Sequence, residues 1–137
     1  MSQENLELVR ALLDAAARRD TATVLALYDP EVELDNTRGP MQGLVEGKVY
    51  RGYDGLRHWW RESREPWESV WDELEDLIDA GDQVVSVQTS HARGRASGVV
   101  VDLEHFATVW TFRHGKIVRV ALYTSRAEAL EAAGLQE

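Results

Sequence analysis

The stretch GVVVDLEHFATVWTFRHGKIVRVALYTSRAEAL, residues 98–130, decides the fold of this chain. Two runs rich in β-branched and aromatic residues are separated by the turn sequence RHG, which predicts an antiparallel pair of strands. Ser125 follows the second run and can cap a last helix over residues 126–133, with Gly134 near the end of that helix. The stretch therefore predicts a hairpin that is followed by a short helix.

The segments upstream of this hairpin alternate between helical and extended patterns. A first helix is predicted over residues 2–19, because apolar residues recur there at three- and four-residue steps. A second short helix carries Val24 to Tyr28 before Pro30, and EVELD then reads as a strand. Residues 36–47 are rich in glycine and predict a loop, and DGLRHWWRESR predicts a third helix.

Two further strands, SVWDELEDLI and QVVSVQTSHAR, lie between the third helix and the hairpin. The order of the elements is helices first and antiparallel strands with short turns afterwards. This order predicts a single α+β domain over residues 1–137, with a curved sheet and helices packed on one of its faces.

Composition excludes several classes of function. The formal net charge of −9 disfavours binding to nucleic acid and to anionic membrane surfaces. No apolar run approaches the roughly 20 residues of a membrane span, and the N-terminus shows no secretory signal, so a cytoplasmic location is expected. The chain has no cysteine, and its four histidines lack metal-ligand spacing. Neither a metal nor a cofactor is predicted.

Four passages together resemble the nuclear transport factor 2-like superfamily, in particular its SnoaL-like and ketosteroid-isomerase-like branch: RRDTATVLALYDPEVELD, YRGYDGLRHWW, IDAGDQVV and residues 98–130. The resemblance covers nearly the whole chain. It implies a cone-shaped α+β barrel, in which a strongly bent sheet wraps around the N-terminal helices and leaves an apolar pocket, and it implies a homodimer through the outer sheet face. Because the superfamily contains isomerases, cyclases, dehydratases, hydrolases and non-catalytic members, the chemistry stays open.

The isomerase pattern of this branch can be compared residue by residue. Asp35, just after the first strand, matches the position of the general base, although an aspartate there can equally cap local amides. In the isomerases of this branch, two hydrogen-bond donors hold the enolate oxygen of the substrate, and their positions align with Leu12 and Thr108 of this chain. Leucine cannot donate a hydrogen bond and threonine is a weaker donor than a carboxylic acid, so steroid isomerase activity is not expected.

The predicted pocket walls are aromatic. Trp59 and Trp60 fall where the related enzymes carry aromatic residues, and Tyr28 matches an aromatic residue of the second helix. Two aromatic residues at helical spacing can also simply pack in the hydrophobic core. Five tryptophans in a chain of this length nonetheless suit a pocket for a flat apolar ligand.

Within LEHFATVWTF, alternation along a strand predicts which side chains face that pocket. Counting in steps of two from Thr108 places Glu104, Phe106 and Trp110 inside, where Glu104 would have a raised pKa unless it lies at a wet pocket mouth. The other row then faces outward and predicts the dimer interface: Val101, Leu103, His105, Ala107 and Val109. A bulge between Leu103 and Phe106 would reverse the assignment and bring His105 into the pocket.

Two functional hypotheses follow for a pocket that takes an apolar, cyclic or polyketide-like small molecule. The first is cofactor-free proton transfer of the isomerase or cyclase type, with Asp35 as the base and Glu104 or His105 as its partner. The second is a non-catalytic, dimeric accessory or ligand-binding domain, which the missing enolate donors favour.

Overall fold

The computed structural model describes residues 2–40 and 47–135, so the loop predicted over residues 36–47 lies partly outside the described residues. The elements follow one another as α1 (Ser2–Ala17), α2 (Thr21–Ala26), β1 (Tyr28–Asp35), β2 (Val49–Arg51), α3 (Gly52–Arg64), β3 (Trp67–Asp79), β4 (Gln83–Gly94), β5 (Val100–Arg113), β6 (Lys116–Tyr123) and α4 (Arg126–Ala132). This order confirms the predicted α+β class.

The six strands form one open, mixed sheet in the order β2-β1-β6-β5-β4-β3. β1 and β6 pair in parallel, and the other neighbours pair antiparallel. The predicted hairpin is β5–β6, whose turn places His114 and Gly115 in the left-handed region. The sheet is not closed into a barrel, because β2 and β3 lie at its two edges. Across the described residues, no helix combines the length and the apolar character that a membrane crossing would need.

The second helix is shorter than the sequence predicts. It ends at Ala26, and Tyr28 is the first residue of β1. The Leu27 carbonyl accepts a hydrogen bond from the Ile117 amide at 3.0 Å, and Tyr28 pairs with Ile117. The backbone at Leu27 and Tyr28 therefore pairs with β6, although the helical spacing of the apolar side chains predicts that these residues belong to α2.

Helices cover both faces of the sheet, whereas the sequence predicts helices on one face. On the inner face, α1, α2 and α3 bury the larger core, which includes Leu56, Val84 and Ile117. On the outer face, α4 buries a second core through Ala129 and Leu130. Ser125 caps α4 as predicted, because its hydroxyl accepts a hydrogen bond from the Glu128 amide at 3.2 Å.

A bulge interrupts β5 where the sequence left the register open. Gln88 pairs with Phe106 and Ser90 pairs with Leu103, so Glu104 and His105 together face the single residue Thr89 of β4. His105 takes a left-handed conformation with φ of 54°, which accommodates the extra residue. The bulge flips every side chain before it, and the predicted alternation through Glu104 is wrong.

The bulge also changes which residues of β5 face outward, so the outer row predicted from the sequence is wrong in part. Val101 and Leu103 lie on the inner face, because they pair with Ala92 and Ser90 of the cavity wall. Ala107 and Val109 stay on the outer face but are buried beneath α4. They form intramolecular core and cannot form the predicted dimer interface without displacement of that helix.

Candidate functional site

A cavity of about 860 Å³ lies between the inner face of the sheet and the helices α1, α2 and α3. The predicted ligand-contacting residues all line it: Tyr28, Trp59, Trp60, Phe106, Thr108 and Trp110. Trp67, at the start of β3, adds a further ring that the sequence analysis did not single out. A cavity of this size and lining suits one apolar ring system, because aromatic walls bury a flat ligand over a large area.

Four hydrogen-bonded side chains form a polar cluster on the sheet side of this cavity, and three of them, Gln88, Thr108 and Trp110, line it. The Trp110 indole N–H donates to Ser86 Oγ at 2.8 Å. The Ser86 hydroxyl donates to Gln88 Oε1 at 2.7 Å, and Thr108 Oγ1 donates to the same oxygen at 3.2 Å. The Trp110 indole can only donate, so Ser86 Oγ accepts that bond and gives its own hydrogen to the Gln88 carbonyl oxygen, where the chain of bonds ends.

The Gln88 amide nitrogen is the uncommitted end of the polar cluster. Gln88 is 4% exposed and lines the cavity, yet within the described chain no acceptor is bonded to its NH₂ group. The hydroxyl of Tyr28 is similar: it belongs to a buried cavity residue and has no hydrogen-bond partner in residues 2–40 and 47–135, and burial raises its pKa. The cavity thus presents two neutral hydrogen-bond donors.

Asp35 does not line the cavity. Its neighbour Leu34 faces inward, so alternation points Asp35 to the outer face. Its carboxylate accepts bonds from the Thr37 amide at 2.8 Å and the Thr37 hydroxyl at 2.6 Å, and it contacts Arg119 Nη2 at 2.7 Å. Partial burial pushes the pKa of Asp35 upward, but the Thr37 hydrogen bonds and the charges of Arg119 and Arg38 outweigh burial and lower the pKa.

Glu104 and His105 also lie outside the cavity wall. Glu104 is exposed, and the bulge carries it away from Phe106 and Trp110. His105 points to the outer face, where its Nδ1 lies 2.8 Å from a Glu75 oxygen. Thr89 donates to Glu75 at 2.7 Å and accepts from the His105 amide at 3.2 Å, so these groups brace the bulge. The structure does not bring Asp35, Glu104 and His105 together.

A carboxylate that the sequence analysis missed lies on the cavity side. Asp72 of β3 pairs with Ser90, accepts a hydrogen bond from its hydroxyl and lines the cavity. Asp72 is exposed, which places it toward the open end rather than beside Thr108 and Trp110.

Comparison with known proteins identifies the family. The family model described as SnoaL-like domain matches residues 9–120. The chain belongs to this family. A comparison with functionally curated proteins finds no significant match.

Solved structures of the same fold resemble this SnoaL-like domain over most of its length. An NTF2-like protein from Burkholderia pseudomallei is 24% identical, with a TM-score of 0.77 over 93% of this chain and 95% of that chain. TerC, co-crystallised with polyporic acid, is 22% identical, with a TM-score of 0.76 over 96% and 98%. A Mycobacterium tuberculosis protein in complex with estradiol-17beta-hemisuccinate is 13% identical, with a TM-score of 0.72 over 88% and 92%. These likenesses confirm the predicted NTF2-like fold.

The polar cluster of this SnoaL-like domain had a signal in its sequence. Ser86 and Gln88 alternate with Val85 and Val87 along β4, and the ordinary interpretation turns the apolar row inward. Here the apolar row, Val85 and Val87, lies beneath α4, and Gln88 of the polar row lines the cavity with Ser86 buried behind it. Recognising this arrangement from sequence would have required knowledge that α4 covers the outer face.

Proposed function

We propose that this SnoaL-like domain binds a flat, apolar small molecule whose carbonyl or comparable oxygen accepts a hydrogen bond from the Gln88 amide. The observation that carries the proposal is the buried Gln88 side chain, whose oxygen holds two hydroxyl donors while its NH₂ group faces the cavity. This NH₂ group is open to the cavity, and a hydrogen bond to a ligand acceptor would contribute about 1 kcal/mol. The donor therefore gives the apolar cavity selectivity for an oxygen-bearing ring.

Two further observations support binding over chemistry inside the cavity. Apart from Tyr28, the described ionisable residues that line the cavity are exposed or half-buried, so the polar cluster itself offers neutral groups. TerC was co-crystallised with polyporic acid, and the M. tuberculosis protein was crystallised with estradiol-17beta-hemisuccinate. By analogy, the cavity of this chain is proposed to hold a cyclic small molecule.

A matched pair of ligands tests the role of Gln88. 9-Fluorenone and fluorene share a flat ring system, but only fluorenone carries a carbonyl oxygen. We expect the wild type to bind fluorenone at least about fivefold more tightly, since a hydrogen bond contributes about 1 kcal/mol. Gln88→Leu should remove this preference and leave fluorene binding within about twofold, as measured by quenching of tryptophan fluorescence.

Gln83→Leu is the control, because Gln83 also lies on β4 but bonds Thr111 outside the cavity. It should keep the preference for fluorenone. A wild type that binds both ligands equally would disprove the assigned role of Gln88, and a wild type that binds neither would disprove the proposed function.

Asp72 supports a second candidate function, proton transfer at a carbon next to a ligand carbonyl. Its carboxylate lies on the cavity face and is oriented by Ser90, as a general base requires. Exchange of the α-protons of a bound cyclic ketone for deuterium would be followed by NMR. Asp72→Asn should reduce the exchange rate by at least about 100-fold. Equal rates in both proteins would rule out Asp72 as the base.

The predicted homodimer is proposed here through a different surface. The part of the outer face that α4 leaves uncovered carries Trp71 and Val100, which are 43% and 41% exposed. The Trp71 ring stacks on His91 at 5.4 Å, so this surface presents a preformed apolar platform. Burying it against a second copy would remove exposed apolar area from water.

A further inference from the structure

The open end of the cavity carries three arginines contributed by two separate segments. Arg61 and Arg64 lie in the last turn of α3, and Arg19 lies between α1 and α2. All three are exposed and line the cavity. Arg64 lies one helical turn beyond Trp60, so its guanidinium follows directly on the aromatic wall.

No carboxylate is paired with these three arginines in the part of the chain that the structure describes, which is also true of several other arginines there, such as Arg93 and Arg113. Arg57 of the same helix pairs with Asp54 at 3.1 Å, and Arg119 pairs with Asp35. The chain has 24 acidic residues against 15 basic ones, so unpaired arginines around one opening are not a consequence of scarce carboxylates. The negative end of the helix dipole favours cations in the last turn of α3, but it does not require them to line the cavity.

The acidic residues of the same rim are mostly engaged elsewhere. Asp20 caps α2 by accepting bonds from the Thr23 amide and hydroxyl, and Asp72 accepts the Ser90 hydroxyl. Asp102 contacts His91 Nδ1 at 2.6 Å. Glu65 and Glu68 are the exposed carboxylates of the rim that have no bonded partner among the described residues, so three unpaired guanidinium groups stand against two unpaired carboxylates there.

Arg95 contributes in another way. Its Nε donates to the Glu65 carbonyl at 2.8 Å, which ties the turn between β4 and β5 to the end of α3. This bond orients the Arg95 guanidinium at the rim, on the side of the cavity formed by the sheet. Arg95 therefore places a fourth guanidinium at the rim, on its sheet side, without depending on a carboxylate.

We infer that the ligand of the cavity is amphiphilic, with an apolar ring body inside and a carboxylate or comparable anion at the rim formed by Arg19, Arg61 and Arg64. This inference rests on the proposed function and names the class of its ligand. A guanidinium offers paired donors that match the two oxygens of a carboxylate, whereas a neutral carboxamide presents only one acceptor oxygen to it. The arrangement predicts selectivity for the acid at the rim and for an oxygen acceptor at Gln88.

A ligand series built on the same ring tests the inference separately from the proposed function. The probes are 9-fluorenone, its 2-carboxylate and its 2-carboxamide, and affinities are measured by tryptophan quenching in 50 mM and 500 mM NaCl. We expect the wild type to bind the carboxylate about tenfold more tightly than the carboxamide at low salt, and less than about threefold more tightly at high salt, because salt screens exposed charges.

Variants assign this preference to the rim. Arg61→Ala combined with Arg64→Ala should make the affinities for acid and amide equal and leave the affinity for fluorenone within about twofold. Arg57→Ala, on the same helix but outside the cavity, should keep the full preference for the acid. Equal binding of acid and amide by the wild type, with fluorenone still bound, would overturn this inference alone. Failure to bind any of the three probes would overturn the inference and the proposed function together.

Discussion

Gln88 shows how one buried side chain can give an apolar cavity its selectivity. Its oxygen is fixed by the Ser86 and Thr108 hydroxyls, and Ser86 is fixed in turn by the Trp110 indole. The amide plane is thus held before any ligand arrives, so binding would order few additional groups. The network leaves the Gln88 NH₂ group without a partner among the described residues and open to the cavity, so this donor is available to a ligand.

His91 carries the pH dependence that can be predicted at the scale of a single residue. Its Nε2 lies 3.0 Å from Glu73 and its Nδ1 lies 2.6 Å from Asp102. Hydrogen bonds with Glu73 and then Asp102 raise the pKa of His91 above its ordinary value near 6.5. Because the folded state holds this proton more tightly, the stabilisation is complete below about pH 6.5 and is lost as the pH rises through the raised pKa.

NMR titration of the imidazole would measure this shift, and we expect a midpoint above 6.5. Glu73→Gln combined with Asp102→Asn should return the midpoint to about 6.5. His91→Gln should flatten the decline of stability between neutral and mildly alkaline pH in urea unfolding. A wild-type midpoint at or below 6.5 would contradict the assignment of these two partners.

At the scale of elements, the sequence predicts the four helices, five of the six strands and their order, because each rests on local periodicity and turn residues; the three-residue strand β2 was not predicted. It fails at the β5 bulge, where one extra residue between Leu103 and Phe106 is stabilised by Glu75 and Thr89 from other strands. Those contacts are not local, so the alternation within LEHFATVWTF contains no sign of them. Most of the aromatic wall was predictable from the resemblance to the SnoaL-like branch and, for Phe106 and Trp110, from alternation along the strand, whereas the polar cluster depended on which face α4 covers.

The bulge makes a prediction about position 105. A residue with positive φ favours glycine over alanine by about 1 kcal/mol, whereas an ordinary strand position favours alanine. His105→Gly should therefore be more stable than His105→Ala in urea unfolding, although both variants lose the bond to Glu75. The same pair at the exposed neighbour Glu104 should show the opposite order. The same order at both positions would contradict the left-handed conformation of His105.

At the scale of the whole molecule, α4 determines which apolar surfaces are core and which are available to a partner. It covers Val85, Val87, Ala107 and Val109 on the outer face but leaves the neighbourhood of Trp71 exposed. An acidic chain with a net charge of −9 needs a local apolar surface to associate with a copy of itself, because its overall charge opposes association. The uncovered part of β3, β4 and β5 supplies such a surface.

Two glutamate substitutions separate the proposed dimer surface from the core beneath α4. Trp71→Glu places a charge on an exposed position, so we expect a folded protein with the monomer mass in sedimentation, while the wild type sediments as a dimer. Val109→Glu would bury an unpaired charge at a position that is 2% exposed, so it should lower the free energy of unfolding by at least about 3 kcal/mol. A dimer mass for Trp71→Glu, or a stable monomer for Val109→Glu, would show that the interface lies elsewhere or that α4 does not cover the outer face.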